Sequence, residues 1–292
     1  MKSSVQHGFH LWLTGSLAKE SSKMKTTLTF LLTLFLSACG LKEESKQKKY
    51  LLFSSVGNNS IHEQWLDCNR EFKSILYYWD QDQIPDSKEI DELVVKKGFK
   101  YPNFYHYYIN HKEEVLGYDA IFIPDDDLRI SCQEINRLFT VFTANNLWLA
   151  QPSLDKDSLH SWPITLQTED SLLRYTNFVE NQAAIIDPQN LEQYVEVFAE
   201  AKTGFGVDFI LTHKLNYPID RIAIIDAISV HHPYNQSSLN DKVARSKHPQ
   251  EGAALMMKHG LNLGIDDPSE YDYGMRPPFE IKEYSSIKLP KK

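Results

Sequence analysis

The sequence predicts an α/β fold, one domain built on a mostly parallel mixed sheet flanked by helices, and three observations predict it. Short apolar runs, YLLFSSV at 50–56, SILYYW at 74–79, AIFIP at 120–124 and IAIIDAISV at 222–230, alternate with segments whose apolar residues recur at helical spacing. That alternation implies βαβ units. Polar residues crowd where the runs end, as expected of a sheet that meets its ligand at the strands' carboxyl ends. The 292 residues, 42% hydrophobic and 12% aromatic, are enough to bury one large core.

The first strand, 50–56, stops at the Gly57-Asn58-Asn59 turn, and IHEQWLDCN after it has helical apolar spacing. The second strand, 74–79, is closed by the polar DQDQIPDS. EIDELVVKKG reads as helical, and KYPNFYHYYINHKEEVLGYD as an aromatic amphipathic helix that leads into the strand at 120–124. A helix over 132–144 follows, with Ile135, Leu138, Phe139 and Phe142 on one face, and Asn145-Asn146 stops it before a buried strand at 147–150. Residues 160–180 resemble a sheet extension. A helix runs over 188–202, with Asp187 as its cap ahead of Pro188. Gly204 and Gly206 allow a close backbone approach before the segment DFILTHKL. The last strong strand is 222–230, and a tail helix over 249–258 is stopped by Gly260.

The net charge of −8 supplies no basic face for a phosphate backbone, so nucleic acid is not expected as a partner. The N-terminal segment KTTLTFLLTLFLSAC, 25–39, has a basic residue, an apolar run short for a bilayer and a small-residue flank, which is a secretory signal. Leu36-Ser37-Ala38-Cys39 resembles the lipobox of bacterial lipoproteins. On that reading Cys39 carries lipid, Met24 is the start, residues 1–23 lie upstream of it, and 40–49 is a charged tether. A catalytic domain then spans 50–236, with 237–292 as a C-terminal helix and tail packed on it. The expected location is the bacterial cell envelope, on the membrane through Cys39, or the cytoplasm if the signal is not used. Cys68 and Cys132 remain, either able to pair in an oxidising compartment or to sit as small buried residues, and no disulfide framework is predicted. No spacing suits structural zinc.

Chemistry concentrates at Asp125-Asp126-Asp127, which follow the apolar strand directly. In an extended segment Asp125 and Asp127 face one way and Asp126 the other, and two carboxylates on one side can share Mg²⁺ or Mn²⁺. Asp208 follows the glycine pair, and His231-His232 follow the last strand. Acids at one strand exit with a histidine at a later one suit a divalent site whose remaining ligand is an imidazole. An Asp-x-Asp phosphatase of the haloacid dehalogenase type is disfavoured, because Arg129 stands where that family needs Thr or Val.

Taken in order, GYDAIFIPDDDL, EINRLF, LAQPSL, HSWPITLQ, LRYTNFVE, GFGVDF and IAIIDAISVHH resemble the bacterial branch of domain of unknown function family 707, whose members look like glycosyltransferases of the GT-A fold. The likeness covers about 50–260, and the tail PQEGAALMMKHGL echoes the family's tail helix. Lys100-Tyr101-Pro102 replaces the expected Lys-Trp-Pro, and His231-His232-Pro233 replaces Arg-His-Thr. The resemblance implies transfer of a sugar from a nucleotide sugar to a glycan or other hydroxyl acceptor. It implies Asp125, Asp127 and His232 on Mn²⁺ or Mg²⁺, with Ser54 and Gly57 against the nucleoside. It also implies Lys100, Asp126, Asn177 and Glu180 in donor or sugar contacts, and Asp208 as general base. The alternative is a non-catalytic lipoprotein that binds glycan or metal on the same fold.

Overall fold

The computed structural model describes residues 48–80, 89–233, 248–271 and 277–290. The expected leader, the expected lipidation site Cys39 and the start of the tail after Pro233 lie outside these residues. A nine-stranded sheet runs in the order β3-β2-β1-β4-β7-β5-β8-β6-β9. Its strands are β1 Tyr50–Val56, β2 Phe72–Tyr78, β3 Glu92–Val95, β4 Ala120–Pro124, β5 Leu149–Leu154, β6 Ser171–Thr176, β7 Ala183–Ile186, β8 Ile222–Val230 and β9 Glu283–Lys288. The β3-β2-β1-β4 half is parallel. Beyond it β7 runs antiparallel between β4 and β5, β5 and β8 are parallel, and β6 is antiparallel to β8 and β9. The sheet is thus mixed, and its parallel share lies mainly in the N-terminal half.

Among the described residues, six α-helices cover the two faces: α1 Lys100–Asn110, α2 Lys112–Leu116, α3 Cys132–Ala144, α4 Val195–Glu200, α5 Val207–Lys214 and α6 His248–Lys258. Successive residues of β1 feed opposite cores, as the two-residue period of a strand requires. Leu51 and Phe53 join Phe104, Tyr107, Phe198 and Met256 on one face. Leu52 and Val56 join Trp65, Leu138, Phe139 and Phe142 on the other. A sheet covered on both sides exposes functional groups only at its strand ends. Ser131 and Glu134 form a reciprocal capping box that starts α3.

Several sequence expectations change. EIDELVVKKG is not helical: its Glu92–Val95 segment pairs in parallel with β2, so tertiary pairing overrides helix propensity. IHEQWLDCN yields only a 3₁₀ turn, His62–Trp65. The 188–202 helix begins as a 3₁₀ turn, Pro188–Gln193, and becomes α4, with Asp187 Oδ1 accepting from the Gln189 amide at 2.9 Å as the cap reading required. Asn146 has φ 50°, which fits the helix stop. Gly206 has φ 82°, and a Cβ there would stand 2.9 Å from the Gly252 carbonyl, so the glycine's close approach is to α6. Cys68 and Cys132 form a disulfide, with Cα atoms 5.7 Å apart. The sequence leaves open whether the two pair, and the fold decides it: α3 carries its first residue, Cys132, onto the loop after Trp65, a proximity that a separation of 64 positions in sequence does not reveal. Among the described residues, no helix is long and apolar enough to cross a membrane.

Candidate active site

β4 ends at Pro124, so the acids occupy a turn and strand alternation does not govern where they point. Four contacts fix that turn. The Asp125 amide donates to the Gln182 carbonyl at 2.7 Å, and the Ile61 amide donates to the Asp126 carbonyl at 3.0 Å. The Trp65 indole donates to the Leu128 carbonyl at 2.9 Å. The Arg129 amide donates to the His231 carbonyl at 2.9 Å, bridging the turn to the end of β8. The disulfide closes the same region from the side of α3.

The three carboxylates therefore go to three partners. Asp125 Oδ1 lies 2.6 Å from Lys100 Nζ, which also donates to the carbonyls of Ile123 at 3.1 Å and Asn181 at 2.9 Å. Those three bonds use all three ammonium hydrogens. Asp126 accepts from Ser60 Oγ. Its pKa is raised, first by burial and then by the adjacent Asp127 and Asp125 charges, with the Ser60 bond opposing. Asp127 Oδ1 lies 3.4 Å from His232 Nε2.

His232 Nδ1 is 3.0 Å from the Leu159 carbonyl, which can only accept, so that nitrogen carries a hydrogen and Nε2 faces Asp127. Burial lowers the pKa of this imidazole, but Asp127 and the Leu159 carbonyl outweigh it and the net shift is upward. His231 turns elsewhere, to Asp155 Oδ2 at 2.9 Å. Burial raises the Asp155 pKa, and its bonds from Ser158 and His231 bring it below the ordinary value.

Two cavities flank the turn. One, of 260 Å³, is lined by Asp125, His160, Glu180, Asp208 and His232 among others. The second, of 230 Å³, is lined by Ser55, Trp79, Phe99, Lys100, Asp125 and Asp126 among others. Asp125, Asn181, Thr203 and Gly204 line both.

Glu180, 5% exposed, accepts from the amides of Ser161 at 2.8 Å and Trp162 at 3.1 Å and from Gln182 Nε2. Its pKa is nevertheless raised, because burial outweighs those donors. Asp208, 3% exposed, sits in the first turn of α5 and accepts from the Phe209 amide at 3.1 Å.

Three expected site residues stand elsewhere. Ser54 is fully buried and donates to the Pro124 carbonyl at 2.8 Å; its neighbour Ser55 lines the cavity instead. Gly57 serves Trp79, whose ring occupies the space a Cβ would take. Asn177 pins the chain before β9, accepting from the Lys282 amide at 2.7 Å and donating to the Glu280 carbonyl at 2.8 Å. His160 was not singled out from the sequence, although the quoted segment HSWPITLQ contains it.

Among the described residues, no group of three or more His, Cys, Asp or Glu side chains is gathered closely enough to hold a metal. Asp125 is separated from the expected trio by its bond to Lys100. Asp127 and His232 remain an oxygen and nitrogen pair of the kind that Mn²⁺ accepts, and the carbonyl behind His232 orients the ring as the outer partner of a metal-bound histidine does. The pair fits a hard divalent ion that takes its other ligands from substrate phosphates and water.

Comparison with solved structures aligns 73% of the chain with 48% of GalNAc-T7, crystallised with UDP, GalNAc and Mn²⁺, at 9% identity and a TM-score of 0.50. The fold is that of the GT-A glycosyltransferases. S. aureus TarS 1-349 also aligns, over 74% of this chain and 67% of its own, at 10% identity and a TM-score of 0.48. The same TarS fragment with UDP-GlcNAc aligns at a TM-score of 0.46, 10% identity, 74% of this chain and 68% of that one. The chain spans about half the length of GalNAc-T7. No family model matches the sequence, and no curated protein does.

Proposed function

We propose that this protein transfers a sugar from a nucleotide sugar to a hydroxyl acceptor and that it is a member of domain of unknown function family 707. The observation that carries the reading is the acid turn at the carboxyl end of β4, with cavities on both sides that share Asp125. The nucleoside is assigned to the 230 Å³ cavity, against Trp79 and Phe99, which are 39% and 56% exposed. The sugar and acceptor are assigned to the 260 Å³ cavity, with Glu180 toward the sugar.

Asp127 and His232 are the residues assigned to hold Mn²⁺ or Mg²⁺. A bound ion supplies Lewis-acid neutralisation of the leaving diphosphate. Lys100 holds Asp125 in place from inside the turn, and Asp126, bonded to Ser60, faces the nucleoside cavity. Asp208 lines the acceptor cavity and is one group able to take a proton there.

The Cys68–Cys132 disulfide supports an oxidising compartment, which is consistent with a cell-envelope location. A second reading, a non-catalytic glycan-binding lipoprotein, draws on two observations: Lys100 already neutralises Asp125, and no three-ligand cluster forms among the described residues.

The test is to incubate the full chain with Mn²⁺ and a panel of nucleotide sugars, UDP sugars first, and measure nucleotide release and thermal protection. Release from one class of donor is expected. Neither release nor protection by any nucleotide would reject the transferase reading. Mass spectrometry of the mature N-terminus tests the lipid separately.

A further inference from the structure

Polar contacts of the loop 158–162 hold two imidazoles against the 260 Å³ cavity. Ser158 Oγ donates to Asp155 Oδ1 at 2.8 Å and accepts from the His232 amide at 2.9 Å. The Leu159 amide donates to the His232 carbonyl at 2.9 Å. Glu180 accepts from the amides of Ser161 and Trp162. The Trp162 ring meets Phe178 and Phe209 edge-on, with centroids 5.8 and 5.7 Å away, so the loop is anchored to α5 beside Asp208.

Two consecutive carbonyls then set two histidines. Leu159 O fixes His232, and Ser158 O lies 3.0 Å from His160 Nδ1. A carbonyl cannot donate, so His160 Nδ1 carries the hydrogen, and in the neutral ring Nε2 is left with a lone pair. No hydrogen bond occupies that nitrogen among the described residues, and His160 lines the cavity shared with Asp125, Asp208 and His232. An imidazole with Nδ1–H held by the protein and Nε2 open to the site is the arrangement of a general base. Asp208 is the competing group in that cavity. It is 3% exposed and already accepts a backbone amide, whereas His160 is half-exposed.

We propose that His160, rather than Asp208, takes the proton of the incoming hydroxyl. This rests on the transferase reading and concerns an inverting transfer. The acceptor O–H bond breaks and its proton goes to His160 Nε2. The acceptor oxygen bonds the anomeric carbon, and the bond from that carbon to the diphosphate breaks, its electron pair leaving on the nucleoside diphosphate. Glu180 is the positioning residue, acting through the Ser161 and Trp162 amides that hold the loop.

The experiment compares wild type with His160→Ala and Asp208→Asn, using full-length protein, Mn²⁺, the donor found active in the nucleotide-sugar panel and a mixture of methyl glycosides. His160→Ala should lower kcat about 100-fold or more, the usual scale of general-base catalysis, while the donor KM stays within about threefold. Added imidazole should restore at least about tenfold of the loss, which a merely structural role would not allow. Nucleotide protection against unfolding should be unchanged. Nitrogen-15 spectra of labelled histidine should show the Nδ1–H tautomer for the neutral His160 ring. A kcat within about twofold of wild type in His160→Ala, or a hydrogen on Nε2, would overturn the assignment. So would an imidazole-insensitive loss alongside a larger one in Asp208→Asn. Absence of turnover in the wild type across the panel would overturn the transferase reading and the base with it. Wild-type turnover that survives His160→Ala would overturn only the base.

Discussion

Two carboxylate sites, one in the middle of β8 and one at the end of β4, show how the same chemical group is used for structure and for function. Asp226 interrupts the apolar run of β8 and its side chain is wholly buried. Arg174 meets it from β6 with a two-pronged contact, Nε to Oδ2 at 2.9 Å and a terminal nitrogen to Oδ1 at 3.0 Å, and the Thr168 amide donates to Oδ1 at 3.0 Å. Fork geometry and full satisfaction make this a closed structural pair. At the acid turn three carboxylates have three unlike partners, Asp125 is open to both cavities and Asp126 to one, and burial and the neighbouring acids raise the Asp126 pKa. The difference lies in position. A charge inside a covered sheet must be neutralised by the protein, whereas one at the strand's carboxyl end can leave part of that to a ligand.

The comparison breaks most readily at the closed pair. Arg174→Ala should cost about 3–5 kcal/mol in denaturant unfolding, because it leaves the buried Asp226 charge unpaired, and Asp226→Ala should cost less, because Arg174 keeps Glu283 Oε2 at 3.6 Å. The double change Arg174→Met with Asp226→Leu should cost much less. Next is the disulfide that braces the acid turn: Cys68→Ser with Cys132→Ser should cost about 2–4 kcal/mol and weaken nucleotide protection, read by thermal unfolding with and without nucleotide.

A smaller effect sharpens the assignment of two expected site residues. Ser54→Ala and Asn177→Ala should each lose about 1 kcal/mol of stability per hydrogen bond removed and leave the KM for donor unchanged. A raised KM with intact stability would return them to the donor site.

The mildest test is pH. Burial holds His62 below its ordinary 6.5, with Glu63 opposing. The unfolded chain binds the proton more readily, so stability is complete above pH 6.5 and declines as pH falls below it. Asp91 and Glu114 have folded pKa values below 3.8 and 4.5. In both, burial raises the value and is outweighed, by Ser74, Arg70 and Lys48 for Asp91 and by Lys73, Tyr118 and Tyr107 for Glu114. Their contribution is present above those ordinary values and is lost as pH drops through the folded ones. Melting temperature followed from pH 7.5 downward should therefore fall in two stages, and His62→Asn should shrink the first, to which His106, His213 and His259, also lowered by burial, contribute as well.

What the sequence made legible follows the strength of local signals. β1, β4, β8 and α3 were readable because each is a buried run or a full apolar face. β3 and β9 were not. Both carry exposed positions along their length at the two edges of the sheet, so neither shows the pattern that burial would impose. β7 is only four residues, Ala183–Ile186, and takes its identity from β4 and β5 on either side. At the site, the acids and His232 were legible because they follow strong strands. The contacts around them were not, since Lys100 reaches Asp125 from 25 positions away and His160 is oriented by a backbone carbonyl that composition does not reveal.

The claim that the acid turn is a donor site is tested most directly by titrating UDP into wild type and Asp127→Ala, each with and without Mn²⁺. Binding that requires Mn²⁺ in the wild type and weakens about 10-fold or more in Asp127→Ala, at unchanged melting temperature, is the expected result. Equal UDP affinity in both proteins, indifferent to Mn²⁺, would contradict it.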